Sequence, residues 1–397
     1  MRIARYLYTL MFLVVSQACG ASVYADSVSC HDSTHAEKLL ANDAICTDIE
    51  WMRRDTLKKE SFLGKVGKGL YRFINEFNNI DTSYIEPQKY NFTVMLQNVT
   101  TYEMYKLNTE EGHSFTFAPD AMAKIGPYVG WRWVFLGYTV DIQHMSSSGD
   151  DLRKEYDISL YSSMIGVDFY YRETGSNYKL RSVSIGNGID TSPIEDMGFG
   201  GLKSSIKGLN LYYILNHRRF SYPAAFSQST VQRKSARSPL IGIGYTVHKL
   251  SFDWEELNGI LQDKLGKDVA EAVADSSLLF GTVKYSDFSV SAGYAYNWVF
   301  ARNWLLAGSM SLGLAYNRTV GDMEKTYFSF RDFSFRNFNL DGIGRFALVW
   351  NNSRWYAGTS CILHSYNYRK SRFSTNNVFG SFNIYFGYNF GKRKEYR

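Results

Sequence analysis

The sequence is poor in cysteine and proline, with four and six among 397 residues, and it has no long apolar run after its first residues. A membrane-crossing helix needs roughly 20 consecutive apolar residues. The one candidate, residues 7–15, is about half as long, so the sequence excludes a helical membrane protein. Arg2 and Arg5 precede this run, an arrangement typical of a secretory signal peptide.

Small residues near position 25 predict cleavage after Ala25. Residues 1–25 are then the signal peptide, and the mature chain starts at Asp26 in an oxidising compartment. Cys19 leaves a lipoprotein open as an alternative, although Ser16 stands where the lipidation signal favours an aliphatic residue.

The scarcity of cysteine also limits cofactor chemistry. Cys30 and Cys46 are close enough in sequence to form a disulfide in the periplasm, and Cys361 lies in an alternating segment as a packing residue. No second Cys or His pair stands at metal-ligand spacing, so the sequence predicts neither a metal site nor a cofactor. The net charge of +6 is spread along the chain, which suits anionic lipid headgroups and does not predict nucleic-acid binding.

Residues 26–86 differ in pattern from the rest and form a predicted N-terminal periplasmic segment. Between positions 58 and 79, apolar residues recur at spacings of three and four with Lys and Arg between them. This spacing predicts a basic amphipathic helix, weakened by three glycines. The helix either packs on the periplasmic end of the following domain or lies on a membrane surface.

Aromatic residues and strict alternation are what the sequence has in abundance, with 8 Trp, 30 Tyr and 27 Phe. Residues 376–390 place apolar side chains at every second position and mostly Ser, Asn, Tyr and Gly between them. A period of two puts each set on one face of a β-strand. Further predicted strands cover residues 89–97, 124–131, 135–143, 156–172, 208–215, 239–249, 284–298, 304–317, 335–350 and 354–368.

Short and long connections alternate in the second half of the chain. Residues 299–303 and 351–353 are short, whereas residues 318–334 are long and polar. Residues 253–274 carry an apolar stripe at helical spacing and predict a helical insertion in an outer loop. This alternation is typical of outer-membrane barrels, whose periplasmic turns are short and whose outer loops are long.

Tryptophans flank the short turns, for example Trp298 and Trp304, at the headgroup level that Trp favours. Strands in lipid must belong to a closed sheet. The sequence therefore predicts an all-β, antiparallel transmembrane β-barrel of about 12 strands over residues 87–390. A basic C-terminal tail, residues 391–397, follows a closing strand that ends at Phe390. A secreted soluble β-sheet binding protein is the structural alternative.

Several strings carry a family resemblance: DTSYIEP at 81–87 with YNF at 90–92, GWRWVFLG at 130–137, NLYYI at 210–214 with NHRRFSYPAAFS at 216–227, and GYAYNWVF at 293–300. Together they resemble an uncharacterised Gram-negative family, domain of unknown function 4421, over roughly residues 81–390. The resemblance implies secretion and placement in the outer membrane. It brings no activity, ligand or catalytic residue.

One of these strings breaks the strand alternation. His217, Arg218 and Arg219 precede an aromatic run that contains Pro223, which does not suit a lipid-facing strand. Folded into the lumen, the segment would place a cationic cluster where a small anionic solute or lipid headgroup passes. Folded as a periplasmic loop, its basic residues would be solvated or paired with carboxylates.

His144 and Ser146 are the candidates for catalysis. They stand two apart at a strand end and so share a face, as a base and a nucleophile of a lipid-hydrolysing barrel would. Residues 146–151 read equally as a flexible outer loop, and no acid is assigned to orient His144.

The sequence thus predicts an outer-membrane protein that is not an enzyme. It serves the passage of small solutes or a structural role in the envelope, with outer-membrane lipid and the barrel-insertion machinery as partners. An outer-membrane lipid hydrolase using His144 and Ser146 is the alternative function.

Overall fold

The computed structural model describes residues 76, 79–109, 111–131, 134–137, 140–141, 154–186, 188–273, 281–319, 337–369 and 373–397. Within them most residues belong to β-strands, and every strand pairing is antiparallel. The predicted all-β antiparallel fold is confirmed.

The strands of the first half are β1 (Ile85–Pro87), β2 (Tyr90–Thr109), β3 (Ser114–Pro119), β4 (Met122–Trp131), β5 (Val134–Gly137), β6 (Val140–Asp141), β7 (Lys154–Tyr161), β8 (Ile165–Thr174) and β9 (Tyr178–Ser184). Those of the second half are β10 (Met197–Phe199), β11 (Leu202–Ile214), β12 (Thr230–Gln232), β13 (Ala236–Phe252), β14 (Thr282–Ala301), β15 (Trp304–Thr319), β16 (Phe338–Asn351), β17 (Trp355–Arg369) and β18 (Phe373–Lys392). Three α-helices are α1 (Tyr222–Phe226), α2 (Trp254–Leu265) and α3 (Lys267–Val273), and 3₁₀ turns span Ser192–Ile194 and Lys394–Tyr396.

Sixteen strands form one sheet, and β1 and β12 form a separate two-stranded sheet. In the large sheet the order is β10, β9, β3, β2, β18, β17, β16, β15, β14, β13, β11, β8, β7. The strand β4 also pairs with β2, beside β3, so β3 and β4 lie end to end along the same neighbour. Both β5 and β6 pair with β4. Among the described residues the ladder is not closed between these strands and β7.

The connections divide the sheet into two ends. At the short-turn end, Arg302 and Asn303 join β14 to β15, and a similar turn joins β16 to β17. Asn303 and Ser353 have positive φ values of 67° and 78°, the left-handed conformation that lets such tight turns close. At the long-loop end, α2 and α3 connect β13 to β14.

The helical insertion predicted at residues 253–274 is confirmed as α2 and α3. Asp253 caps α2 by accepting hydrogen bonds from the backbone of Glu255 and Glu256. The single strand predicted at residues 156–172 is wrong, because it is two strands, β7 and β8. Ser162 causes the break: its Oγ donates to the carbonyl of Ile165 and accepts from its amide, both at 2.9 Å.

The sheet carries apolar side chains on its outer face and polar ones on its inner face. Outward side chains such as Met310 are up to 61% exposed, whereas the inward Arg345 is 1% exposed. A soluble sheet buries apolar side chains and exposes charged ones. This sheet has the inverse arrangement, which suits a lipid-facing exterior.

The inner face of the sheet has three layers, seen along β11. Leu202 and Ile206 belong to an apolar cluster at the long-loop end, which also includes Leu257 and Leu261 of α2. Tyr212 belongs to an apolar cluster at the short-turn end. Buried polar side chains lie between them. We call these the long-loop core, the short-turn core and the polar layer.

Candidate functional site

An ion pair crosses the interior in the polar layer. Arg345 of β16 pairs through Nη2 with the Asp168 carboxylate of β8. Four strands separate β16 from β8 in the sheet order, so the contact spans the interior instead of running along the wall. The guanidinium also lies over the rings of Tyr212 and Tyr222, at 4.9 and 6.0 Å from their centroids.

A second buried arginine, Arg172 of β8, is held from several sides. Its Nη2 donates to Asp157 Oδ2 at 2.7 Å, and its Nη1 lies 3.9 Å from Glu155 Oε1. Its guanidinium stacks over Phe379 of β18, 4.8 Å from the ring centroid. Since β7 is the neighbour of β8 and β18 is distant from it in the sheet order, Arg172 joins two separated parts of the sheet.

Hydroxyl groups surround a buried carboxylate near the long-loop core. Glu103 accepts hydrogen bonds from Thr174 at 2.7 Å, Tyr178 at 2.9 Å and Ser204 at 3.0 Å. Three donors replace much of the water that this carboxylate loses on burial.

Aromatic side chains fill the remaining width of the interior. Tyr170 of β8 and Tyr366 of β17 are hydrogen-bonded through their hydroxyls, and His364 stacks on Phe379 with ring centroids 4.9 Å apart. Three cavities in this interior have volumes of about 10, 20 and 30 Å³. A water needs about 10–15 Å³ of such space, so each of these three cavities has room for only one or two waters.

A segment between β11 and β13 closes the short-turn end. We call residues 216–235 the plug. Pro223 at the start of α1 cannot donate a strand hydrogen bond, and Ser221 caps the helix by accepting from the backbone of Ala224 at 3.2 Å. The small side chains of Ala224 and Ala225 let the helix pack closely inside the sheet.

Polar contacts fix the plug to the surrounding wall. Tyr222 donates to Ser309 Oγ of β15 at 2.7 Å, and Gln228 donates to the Tyr385 hydroxyl of β18 at 2.7 Å. Asn297 of β14 donates to the backbone carbonyl of Ser221 at 2.8 Å. The plug is therefore bonded to three strands.

The stretch before β2 holds the plug from outside. We call residues 79–87 the strap. Its strand β1 pairs with β12 of the plug, and the Arg233 amide donates to the Tyr84 carbonyl at 2.7 Å. Carboxylates at five-residue intervals pair with plug arginines: Glu76 with Arg218, Asp81 with Arg219, and Glu86 with Arg233.

These ion pairs change the acidity of the carboxyl groups. The hydrogen bond from Arg218 lowers the pKa of Glu76 from 4.5 to about 2. Burial by itself would raise the pKa of Glu86, but hydrogen bonds from Lys89, Ser353 and Arg233 outweigh it and lower that pKa. Both carboxylates are therefore ionised at neutral pH.

We expect Glu86→Gln to loosen the strap. The neutral amide keeps the shape but loses the ion pair with Arg233, so hydrogen exchange at the Arg233 amide should become about fivefold faster, the effect of about 1 kcal/mol. Glu195→Gln, at an exposed glutamate near the long-loop end, is the matched control. Unchanged exchange in Glu86→Gln would show that the backbone ladder alone holds the strap.

The same contact predicts a pH dependence in the parent protein. Because the folded-state pKa of Glu86 is lowered, its contribution to stability is fully present above the ordinary value of 4.5. That contribution is lost as the pH falls through the lowered value. The protection factor of the Arg233 amide, which is corrected for the intrinsic pH dependence of exchange, should therefore fall only below about pH 4.5.

The structure places the predicted cationic cluster outside the interior. His217 is buried against Glu76 with its Nε2 3.1 Å from the carboxylate, and the Arg218 and Arg219 side chains are each 58% exposed. The aromatic part of the same string, led by Tyr222, enters the interior instead. A role for this cluster in solute passage stays a prediction.

Other predicted site residues lie outside the described residues. These are His144 and Ser146, the hydrolase candidates, and Cys30 and Cys46, the predicted disulfide. Cys361 is described and is a free thiol on β17.

Sequence reasoning missed the residues that do meet in the interior, chiefly Arg172, Arg345 and Asp168. The signal was present, because each stands at an inward position of an alternating strand, where a charged residue has no contact with lipid. No local pattern says which arginine meets which carboxylate.

Two kinds of feature are absent from the described residues. No group of three or more His, Cys, Asp or Glu side chains there is arranged to hold a metal ion. No helix there is long and apolar enough to cross a membrane.

Residues 79–390 match the model of the family described as domain of unknown function 4421. The chain belongs to this family. The DUF4421 match includes the strap, the plug and all strands up to Phe390 of β18. No curated protein matches the chain.

Solved structures similar to this DUF4421 chain are outer-membrane proteins at low identity. The outer membrane protease OmpT of Escherichia coli is 9% identical, covers 76% of this chain and 97% of its own, and has a TM-score of 0.30. The P. putida toluene transporter TodX is 8% identical, covers 76% and 91%, and has a TM-score of 0.22. The transport unit of the E. coli autotransporter AIDA-I is 10% identical, covers 75% and 90%, and has a TM-score of 0.30. Likenesses this distant carry no argument about the function of this chain.

Proposed function

We propose that the protein is an outer-membrane β-barrel sealed at both ends, with a structural role in the envelope and no standing pore. The observation that carries the proposal is the inverted sheet, apolar outside and filled with polar and aromatic side chains inside. An apolar exterior of this extent is stable in lipid, and the hydrogen-bond ladders satisfy the backbone there.

The proposal includes closure of the sheet through twelve strands. In this count β3 with β4 and β5 with β6 are single bent strands, and the short strands β9 and β10, which pair with β3 and with each other, are not staves of the barrel. The remaining gap lies between β5–β6 and β7. Lys124 of β4 reaches Glu155 of β7 at 2.9 Å. A contact of similar length elsewhere in the sheet allows a comparison. Thr93 of β2 lies 2.8 Å from the Tyr356 hydroxyl of β17, and a single strand, β18, stands between β2 and β17. By this comparison, one strand fits between β4 and β7, and β5–β6 occupies that place.

The sealed interior favours the structural role over passage of solutes. The plug closes the short-turn end, α2 and α3 pack on the core at the long-loop end, and the Arg345–Asp168 pair bridges the layer between. Passage would require all three to move. The proposal contains no catalytic step, and the hydrolase alternative using His144 and Ser146 stays a prediction.

We expect the purified protein to be an intact barrel that conducts no current. The outer-membrane fraction should contain it, and its gel migration should shift on boiling, because a closed barrel resists detergent until heated. The heat-shiftable form, reconstituted in planar bilayers, should give a conductance no higher than protein-free bilayers. Steady single-channel currents would overturn the sealed barrel in favour of a pore. A soluble protein with no heat shift would overturn the membrane placement.

A further inference from the structure

The outer face of the sheet has a depression near the short-turn end. On β17 the outward positions that follow Trp355 hold two small residues, Ala357 and Thr359. Each has larger side chains opposite it on both neighbouring strands: Trp350 and Phe386 beside Ala357, and Leu348 and Ile384 beside Thr359. Small side chains between four large ones leave a depression along this part of β17.

This depression is part of an apolar groove of about 570 Å³. Small-molecule sites have volumes of roughly 300–1,000 Å³, so the groove is large enough to hold a ligand. Its lining runs from Leu96 of β2 to Trp304 of β15, which are the ends of a row of five neighbouring strands. Five strands are roughly 20 Å across, and one leaflet of a bilayer has a hydrocarbon layer roughly 15 Å thick. The groove therefore has the length of one acyl chain.

A cation stands on the short-turn side of the groove. Arg354 is exposed and precedes Trp355 in the turn between β16 and β17. Its Nε and Nη2 donate to the Tyr388 hydroxyl at 3.1 and 2.7 Å, and its guanidinium lies 5.4 Å from the centroid of the Tyr388 ring. Tyr388 is the next outward residue after Phe386 on β18, roughly 7 Å further along the strand. These contacts hold the guanidinium on the outer face, beside the groove.

The charge of Arg354 is not neutralised by a carboxylate in the part of the chain that the structure describes. The acids of this end, Glu76, Asp81 and Glu86, are paired with arginines of the plug. An arginine on an exposed face, with its planar array of donors, suits a phosphate group.

Aromatic rings lie between the cation and the groove. Trp355 stacks on Phe386 with ring centroids 5.5 Å apart and lies 4.3 Å from the Tyr388 ring. Trp and Tyr favour the interface between hydrocarbon and headgroups. The outer face thus changes from apolar to aromatic to cationic towards the short turns, the same order as the acyl chain, the glycerol region and the phosphate of a phospholipid.

We propose that the groove binds a phospholipid of the periplasmic leaflet, with one acyl chain along Ala357 and Thr359 and the phosphate on Arg354. The proposal rests on the membrane placement under Proposed function, which puts the short turns on the periplasmic side. An empty groove would lose dispersion contacts along its lining. A chain that fills it is therefore held more tightly than a chain on an even part of the wall.

Native mass spectrometry of the delipidated barrel, titrated with dioleoylphosphatidylglycerol in detergent, tests the site. We expect saturable binding of one phospholipid per chain. Ala357→Phe fills the groove and should weaken binding at least tenfold, the effect of expelling about two methylene groups from an apolar site. Ala292→Phe, at an exposed outward position of β14, makes the same change outside the groove and should bind like the parent. A heat-dependent gel shift confirms that each variant folds.

A comparison with dioleoylglycerol, which has no phosphate, isolates the contact with Arg354. The parent should bind phosphatidylglycerol about tenfold more tightly than dioleoylglycerol, the effect of one charge-assisted hydrogen bond. Arg354→Gln should bind the two lipids alike. Lys284→Gln, at an exposed lysine of β14 near the long-loop end, should keep the difference. Equal weakening of both lipids in Arg354→Gln would assign Arg354 to packing and overturn the phosphate contact.

The remaining outcomes separate this site from the barrel itself. A heat-shiftable parent that binds no more phosphatidylglycerol than Ala357→Phe would overturn the site and leave the sealed barrel standing. Complexes of two chains without lipid would place a second copy on the groove and overturn the lipid. A soluble parent with no heat shift would overturn the barrel and the site together.

Discussion

We expect Arg345→Leu to lower the free energy of unfolding by about 3–5 kcal/mol, the loss typical of removing one partner of a buried ion pair. The physical reason is that Asp168 remains buried in the polar layer without its guanidinium partner. Tyr212 and Tyr222 also lose the cation above their rings. Urea unfolding of the folded barrel, followed by tryptophan fluorescence, measures the change.

The double variant Arg345→Leu/Asp168→Leu separates the charge effect from packing. It removes both charges, so it should recover most of the loss, since apolar replacements of buried ion pairs are often neutral. Arg302→Leu, at an exposed arginine in the turn between β14 and β15, should change stability by less than about 0.5 kcal/mol. Equal effects of the single variant at residues 345 and 302 would contradict a cross-interior pair.

Replacing the plug should admit water to the short-turn half of the interior without producing a current. The ends of β11 and β13 are adjacent, with Ile214 opposite Leu240, so a short Gly-Ser turn can replace residues 217–234 without moving either strand. Ser309, which now receives the Tyr222 hydrogen bond, would then face water. The long-loop core remains in place, so the conductance should stay at background.

Cysteine labelling measures this access in a chain whose native cysteines are replaced by serine. Ser309→Cys should change from unreactive with the plug to fully reactive without it, towards a membrane-impermeant thiol reagent. Ser204→Cys, beside Glu103 near the long-loop core, is the matched control and should stay unreactive in both chains. Labelling of Ser309→Cys in the presence of the plug would show that the plug does not seal the barrel.

The helical insertion is an element that local sequence pattern predicted correctly. Its apolar stripe and the cap at Asp253 are both within the segment, so sequence alone located α2 and α3. The pattern at residues 156–172 predicted one strand instead of two, because the alternation continues through a turn that Ser162 closes with a local hydrogen bond. Alternation reports the faces of a strand and not where the strand ends.

Local sequence pattern predicted only part of the structure of the plug. Sequence alone identified residues 216–227 as a break in the strands, since a proline and a cluster of cations do not suit a lipid-facing strand. It did not decide which half of the string turns inward. Glu76 and the strap decided it, because the carboxylates of Glu76 and Asp81 pair with Arg218 and Arg219 outside while Tyr222 enters the interior.

The sequence by itself determined that this chain forms long antiparallel strands with one apolar and one polar face, because a period of two is a property of each strand alone. It also determined membership of an uncharacterised family. Only the tertiary structure decided that Arg345 of β16 meets Asp168 of β8 across the interior. Such contacts depend on the order and curvature of the whole sheet, which bring side chains on distant strands face to face.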